Sequence, residues 1–220
     1  MLQSALTNQC IVKMKKNQIR DSIAKWVAEP EFAEVFADWI VENRIKVVVT
    51  RSRKTKRATY MPPQRGHGHK ITLNNDLNPY GFVISFIHEM AHLITWEQHQ
   101  NKVKPHGVEW KNNFKELISP FLHTRYFPED ILQQLSLYMN NPAASSCSDA
   151  RLIKVLDQYN QHDDGLVHLE ELPIDSIFAL KDGRVFKKGK KLRKFYQCEE
   201  RKSRNLYRVS PVARVKKLAD

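Results

Sequence analysis

The stretch from Asn78 to His99, NPYGFVISFIHEMAHLITWEQH, constrains the fold more than any other, because it sets two histidines and a glutamate into a largely apolar segment. Asn78 followed by Pro79 predicts a helix start, with an N-cap side chain and a first-turn proline whose missing N–H costs nothing. From there Phe82, Val83, Ile84, Phe86, Ile87, Met90, Ala91, Leu93 and Ile94 cover most sides, which reads as a buried, central helix. On that helix His88 and His92 lie one turn apart and face the same way, at a spacing that suits one metal ion. Glu89 lies about 100° further round the axis, where it reaches a water on such a metal without ligating it. The five-residue pattern alone recurs by chance in many helices. Burial gives it weight, since buried imidazoles and a buried carboxylate need partners that a metal supplies.

Two histidines leave a zinc ion short, because a catalytic zinc takes three protein ligands and keeps one position for water. The candidates for the third are His67, His69, His99, His106, Glu109 and Glu116. His99 faces the same side, but seven residues of helix carry it about 10 Å along the axis from His92. His67 and His69 lie on a Gly-rich loop that could reach the site, although flexible surface histidines are the commoner case. His106 follows His92 by enough chain to turn back, and Gly107 behind it permits a close backbone approach. On the residues alone His106 ranks first and Glu109 second.

Around the central helix the periodicities alternate. Ile19, Ile23, Trp26 and Val27 predict an amphipathic helix, and Pro30 opens a second one striped by Phe32, Val35, Phe36, Trp39 and Ile40. Ile45 to Thr50 reads as a strand, the basic run Arg51 to Arg57 as an exposed connection between strands, and Lys70 to Leu73 as a strand with Ile71 and Leu73 on one face. At a sheet edge that last strand would accept an extended peptide by main-chain pairing. Further helices are expected around Trp110 to Ile118, after Pro128, and after a Ser148-Asp149 cap. Asn160, His162, Asp164, Gly165 and Glu171 fit a calcium-loop template, but the carboxylates are few and Leu172-Pro173 breaks the following helix, so the segment reads as a polar linker. Beyond it, Asp182-Gly183 between apolar-alternating runs is a hairpin signal, and LRKFYQC and LYRV read as further strands.

Charge divides the chain in the same way. Of the formal net charge of +12, residues 43–75 contribute nine basic and no acidic side chains, and residues 181–220 contribute fifteen basic against four acidic, around an acidic middle. Clustered cations gain from counterion release on a polyanion, so DNA or nucleoprotein is an expected partner. The candidate contacts are Arg51, Arg53, Lys54, Lys56 and Arg57 in the first block, and Lys187, Lys188, Lys190, Lys191, Arg193 and Lys194 in the second. The second block is interleaved with Phe186, Phe195, Tyr196 and Tyr207, residue types that stack on bases or form the core of a small β unit. The cysteines, Cys10, Cys147 and Cys198, form no CxxC pair, which points to a reducing compartment and away from a thiolate zinc site. No secretion signal and no run of about 18 apolar residues is present, so the expectation is a cytoplasmic, nucleoid-associated protein without a membrane partner.

HEMAHLITW followed by PHGVEW at Pro105 to Trp110 resembles the SprT-like zinc metallopeptidase family, whose pattern is HExxH and then a HG dipeptide. Ile45 to Asn74, and ITLNNDLNP in particular, are also similar to bacterial members of that family, which is related to the eukaryotic Spartan proteases. The resemblance covers roughly residues 30–160. It implies that His88, His92 and His106 bind one Zn2+ and that Glu89 is the catalytic acid/base. Zinc on neutral imidazoles brings the pKa of its water to about 7, and Glu89 would move the proton to the leaving amine. The implied fold class is α+β: a zincin-like metallopeptidase domain over residues 1–160, with helices around a small antiparallel or mixed sheet, and a small basic β-rich unit over 166–220. Many members end in a four-cysteine zinc ribbon, where this chain offers only Cys198. The implied function is hydrolysis of peptide bonds in DNA-associated proteins. The alternative is a non-catalytic nucleic-acid-binding accessory protein with a structural zinc.

Overall fold

The structure is a computed structural model and describes residues 15–53, 56–140, 142, 149–160 and 165–218. Cys10, Lys54, Cys147, Ser148 and the His162 and Asp164 of the calcium-loop template lie outside the described residues. The chain divides into two units, Met1–Tyr159 and Asn160–Asp220.

In the first unit, helical residues 15–24 (α1) lead to α2 (Pro30–Glu42), β1 (Lys46–Thr50), β2 (Ala58–Met61), β3 (Lys70–Asn74), α3 (Pro79–His99), α4 (Val108–Ile118), α5 (Glu129–Asn140) and α6 (Ala150–Asp157). The sheet is mixed, in the order β1-β3-β2, with β1 parallel and β2 antiparallel to β3. Ile71 and Leu73 on β3 are fully buried, as their alternation requires. The Lys70 to Leu73 strand is therefore central and already paired on both sides, which corrects the expectation that it could receive a peptide; the open edge beside α3 belongs to β2.

Helix α3 is apolar on most sides because it runs through the core. Asn78 caps it, accepting from the Gly81 N–H at 2.8 Å, and its amide donates to the Leu156 carbonyl, which ties the start of α3 to α6. Aromatic rings fill the space around it: Phe36 stacks on Phe86 at 4.2 Å, and Phe32 meets Phe121, Tyr126 and Phe127. Each such buried ring contributes about 1.5–3 kcal/mol, so the centre of α3 is held rigidly. Asp149 caps α6, accepting from Arg151 and Leu152 N–H groups.

The second unit is one antiparallel sheet in the order β4-β9-β5-β6-β7-β8, from β4 (Val167–His168), β5 (Ile177–Ala179), β6 (Val185–Lys191), β7 (Tyr196–Glu200), β8 (Leu206–Val209) and β9 (Arg214–Lys217). The β5–β6 turn is the Asp182-Gly183 pair, with Gly183 at φ +83°. Leu169, Leu172, Phe178, Phe186, Tyr196, Cys198, Val209 and Val215 form its core. Lys188 is buried in that core at 2% exposure, and its ammonium donates to the carbonyls of Leu169, Glu170 and Leu172 while lying 4.0 Å over the Tyr196 ring. Lys188 is thus a structural staple and not a nucleic-acid contact, because a caged ammonium has no surface to offer a phosphate. No helix among the described residues is long and apolar enough to cross a membrane.

Candidate metal centre

Three imidazoles converge where α3 meets the start of α4. His88 and His92 face one side of α3 with ring centroids 5.0 Å apart, and His106 approaches from the intervening loop, 5.3 Å from His88 and 4.4 Å from His92. One nitrogen from each lies within 4.8 Å of the others, close enough for all three to hold one metal ion. Trp110 forms the floor, fully buried, with its ring 4.6 Å from His88 and 4.7 Å from His106, and Phe114 stacks beneath it.

His106 reaches this position through an uncommon backbone. Its φ is +60°, a left-handed conformation that a histidine adopts only where the surroundings enforce it. The enforcement comes from a turn in which the Gly107 N–H donates to the Lys104 carbonyl at 2.9 Å. Gly107 is required by space and not by φ: a Cβ there would lie 2.9 Å from both the Lys104 carbonyl and a Glu109 carboxylate oxygen.

Burial sets the charge state of the site. It pushes the His88 imidazole down to about 2, with His92 and His106 adding to the effect, and the His92 imidazole down to about 3, with His106 adding. It lowers His106 as well. All three are neutral at pH 7, the form that ligates a metal. His88 Nδ1 and His106 Nε2 are buried without a hydrogen-bond partner, the expense of which a metal or its ligands would remove. The donor set, three neutral nitrogens with His92 and His106 only half-buried, suits zinc with an accessible face. Beside them Glu89 is 6% exposed, and burial raises its carboxyl to about 7 against the opposing effects of the Tyr60 main-chain hydrogen bond and the charges of Arg53 and Lys56.

Residues 30–130, which contain all of this geometry, match the model of the SprT-like family. This segment belongs to the SprT-like family. Neither the search of curated proteins nor the search of solved structures gave a match. Within the SprT-like segment the rival ligands fall elsewhere. His67 closes a tight turn with Gln64, and His69 is engaged between Tyr60 and Glu97. His99 ends α3, and neither it nor Glu109 nor Glu116 joins the convergent group among the described residues.

The basic run of the SprT-like segment is not uniformly available. Arg53 donates to Asn74 Oδ1, Thr59 Oγ1 and the Thr72 carbonyl, so its guanidinium is bonded into the sheet and bears on Glu89. Arg57 pairs with Asp157 at 3.9 Å, whereas Arg51 and Lys56 are exposed. In the second unit Lys187 pairs with Asp175 at 2.9 Å, and Lys190, Lys191, Arg193 and Lys194 are exposed. The residues that sequence reasoning missed are Tyr60, Arg53 in its inward role, and Trp110 as the floor. Only Trp110 carried a signal, its place four residues after His106 in PHGVEW, in the first turn of α4.

Proposed function

We propose that the chain is a zinc-dependent peptidase with a zincin-like arrangement, acting on proteins associated with DNA. The observation that carries this reading is the convergence of His88, His92 and His106 with the buried Glu89 on the same central helix. Membership of residues 30–130 in the SprT-like family supports it. Zinc held by the three imidazoles would acidify a bound water and polarise the scissile carbonyl. The histidines stay neutral and fixed, His106 by its turn and His88 and His92 by the helix. Glu89 lies one residue from His88, so its carboxylate can take a proton from the attacking water and return it to the leaving nitrogen. Apart from the Tyr60 N–H, which bonds Glu89, the outer edge of β2 offers main-chain groups to an extended peptide alongside the site.

For the DNA association, the support is the basic composition of the second unit and the exposure of Lys190, Lys191, Arg193 and Lys194 there, with Phe195 exposed between them and the strand that follows. The test of the enzyme reading is Glu89→Gln on zinc-loaded protein. Cleavage should disappear while zinc content stays at the wild-type level; cleavage at the wild-type rate would leave only a metal-stabilised accessory protein.

A further inference from the structure

Tyr60, on the edge strand β2, meets the site in two ways and anchors outside it in a third. Its main-chain N–H bonds the Glu89 carboxylate, its ring lies parallel to the His92 ring at 6.5 Å and 4°, and its hydroxyl bonds His69 Nδ1 at 2.9 Å. His69 in turn holds Glu97 through Nε2 at 2.9 Å and meets Trp96 edge-on at 5.5 Å. Glu97 and Trp96 are on α3, the helix that carries His88, Glu89 and His92. The chain of contacts therefore leaves the helix at Glu97, crosses His69 ahead of β3, and returns to the helix through Tyr60.

Hydrogen-bond chemistry gives this chain a direction. A carboxylate only accepts, so His69 Nε2 carries the proton that Glu97 receives, and in the neutral ring Nδ1 accepts from the Tyr60 hydroxyl. Burial holds the Tyr60 phenol well above its ordinary range, so it remains a donor throughout the neutral region. The His69 ring is 12% exposed and the Glu97 side chain 51%, so the relay is sheltered at its inner end and reaches solvent at Glu97.

We propose that Glu97, His69 and Tyr60 form a relay that positions the His92 ring and the Glu89 carboxylate, making Tyr60 a positioning residue of the metal site. The kinetic part of this inference rests on the peptidase reading; the metal-binding part does not. Groups that hydrogen-bond a metal ligand directly are worth about 10–100-fold in metal affinity or activity, and this relay, which meets His92 only through a parallel ring, belongs at the lower end of that range.

The experiment measures Co2+ and Zn2+ affinity by chelator competition, the Co2+ absorption spectrum, and kcat and KM, for Tyr60→Phe, Glu97→Met, which removes the acceptor of the His69 proton, and the double variant. Both single changes are near-isosteric, and Tyr60→Phe keeps the ring and the main-chain N–H. Each single variant should weaken metal binding about tenfold, alter the Co2+ spectrum and lower kcat with KM unchanged. The double variant should be no worse than the worse single, because both break one chain. Affinities within twofold of wild type, effects that multiply in the double variant, or a matching fall in the Tm of the metal-free protein would each overturn the relay. If the wild type binds metal but cleaves nothing, the peptidase reading fails while the affinities still decide the relay.

Discussion

At the scale of single residues, the buried histidines and Glu89 push the metal-free protein's stability in opposite directions with pH. His88 and His92, lowered to about 2 and 3, contribute stability that is present above the unfolded histidine value of 6.5 and is lost as pH falls towards their folded values. Glu89, raised from 4.5 to about 7, contributes stability present below 4.5 and lost as pH rises through about 7. The histidines outnumber it, so the Tm of zinc-free protein should fall between pH 6.5 and 5, with a slope of order 1.4 kcal/mol per pH unit for each group that titrates fully. Glu89→Gln removes the one opposing contribution. It should raise the zinc-free Tm at pH 8 and steepen the fall towards pH 5, as calorimetry across pH 5–8 would show; parallel curves for variant and wild type would mean that Glu89 ionises as an ordinary surface carboxylate.

At the scale of elements, the site depends on one helix start and one turn. Asn78→Ala removes both the cap on Gly81 and the bond to Leu156, and should cost about 1–2 kcal/mol in urea unfolding with an unchanged m-value. Gly107→Ala introduces a Cβ at 2.9 Å from Lys104 O, so the turn that holds His106 must open; zinc affinity should fall at least tenfold while helix content by circular dichroism is kept. The helix start was legible in the Asn-Pro pair and the turn in His-Gly, because both are local chemistry. The sheet was not. Ile71 and Leu73 announced a strand with one buried face, yet whether β3 was central depended on pairing with Lys46–Thr50 on one side and Ala58–Met61 on the other, which alternation within a strand does not encode. His69 was hidden for the same reason. Flanked by Gly68 it reads as a loose loop residue, and only the fold brings Tyr60 and Glu97 to it.

At the scale of the whole molecule, charge and core compete for the same lysines. Block counting over 181–220 marked every cation alike, but β6 alternates, so Lys188 points inward to three carbonyls while Lys187 is half-buried against Asp175. The sequence gives no sign of this, because a lysine at an inward position is recognisable only once its cage of carbonyls exists. The two kinds of lysine should separate in experiment. Replacing Lys190, Lys191, Arg193 and Lys194 by alanine removes exposed charge and should leave the fold intact. If all four meet phosphates, the slope of log K against log salt for duplex DNA drops by about 0.9 for each, or 0.7 on a single strand. Lys188→Ala should instead unfold the second unit at lower denaturant, since it removes the donor shared by the carbonyls of Leu169, Glu170 and Leu172; Leu169 keeps the Leu172 N–H, and a carbonyl left buried and unpaired costs about 1–3 kcal/mol. An unchanged salt slope in the fourfold variant would shift the DNA contact to Arg51 and Lys56 or remove it, and repeating the titration with Arg51→Ala and Lys56→Ala decides between those outcomes.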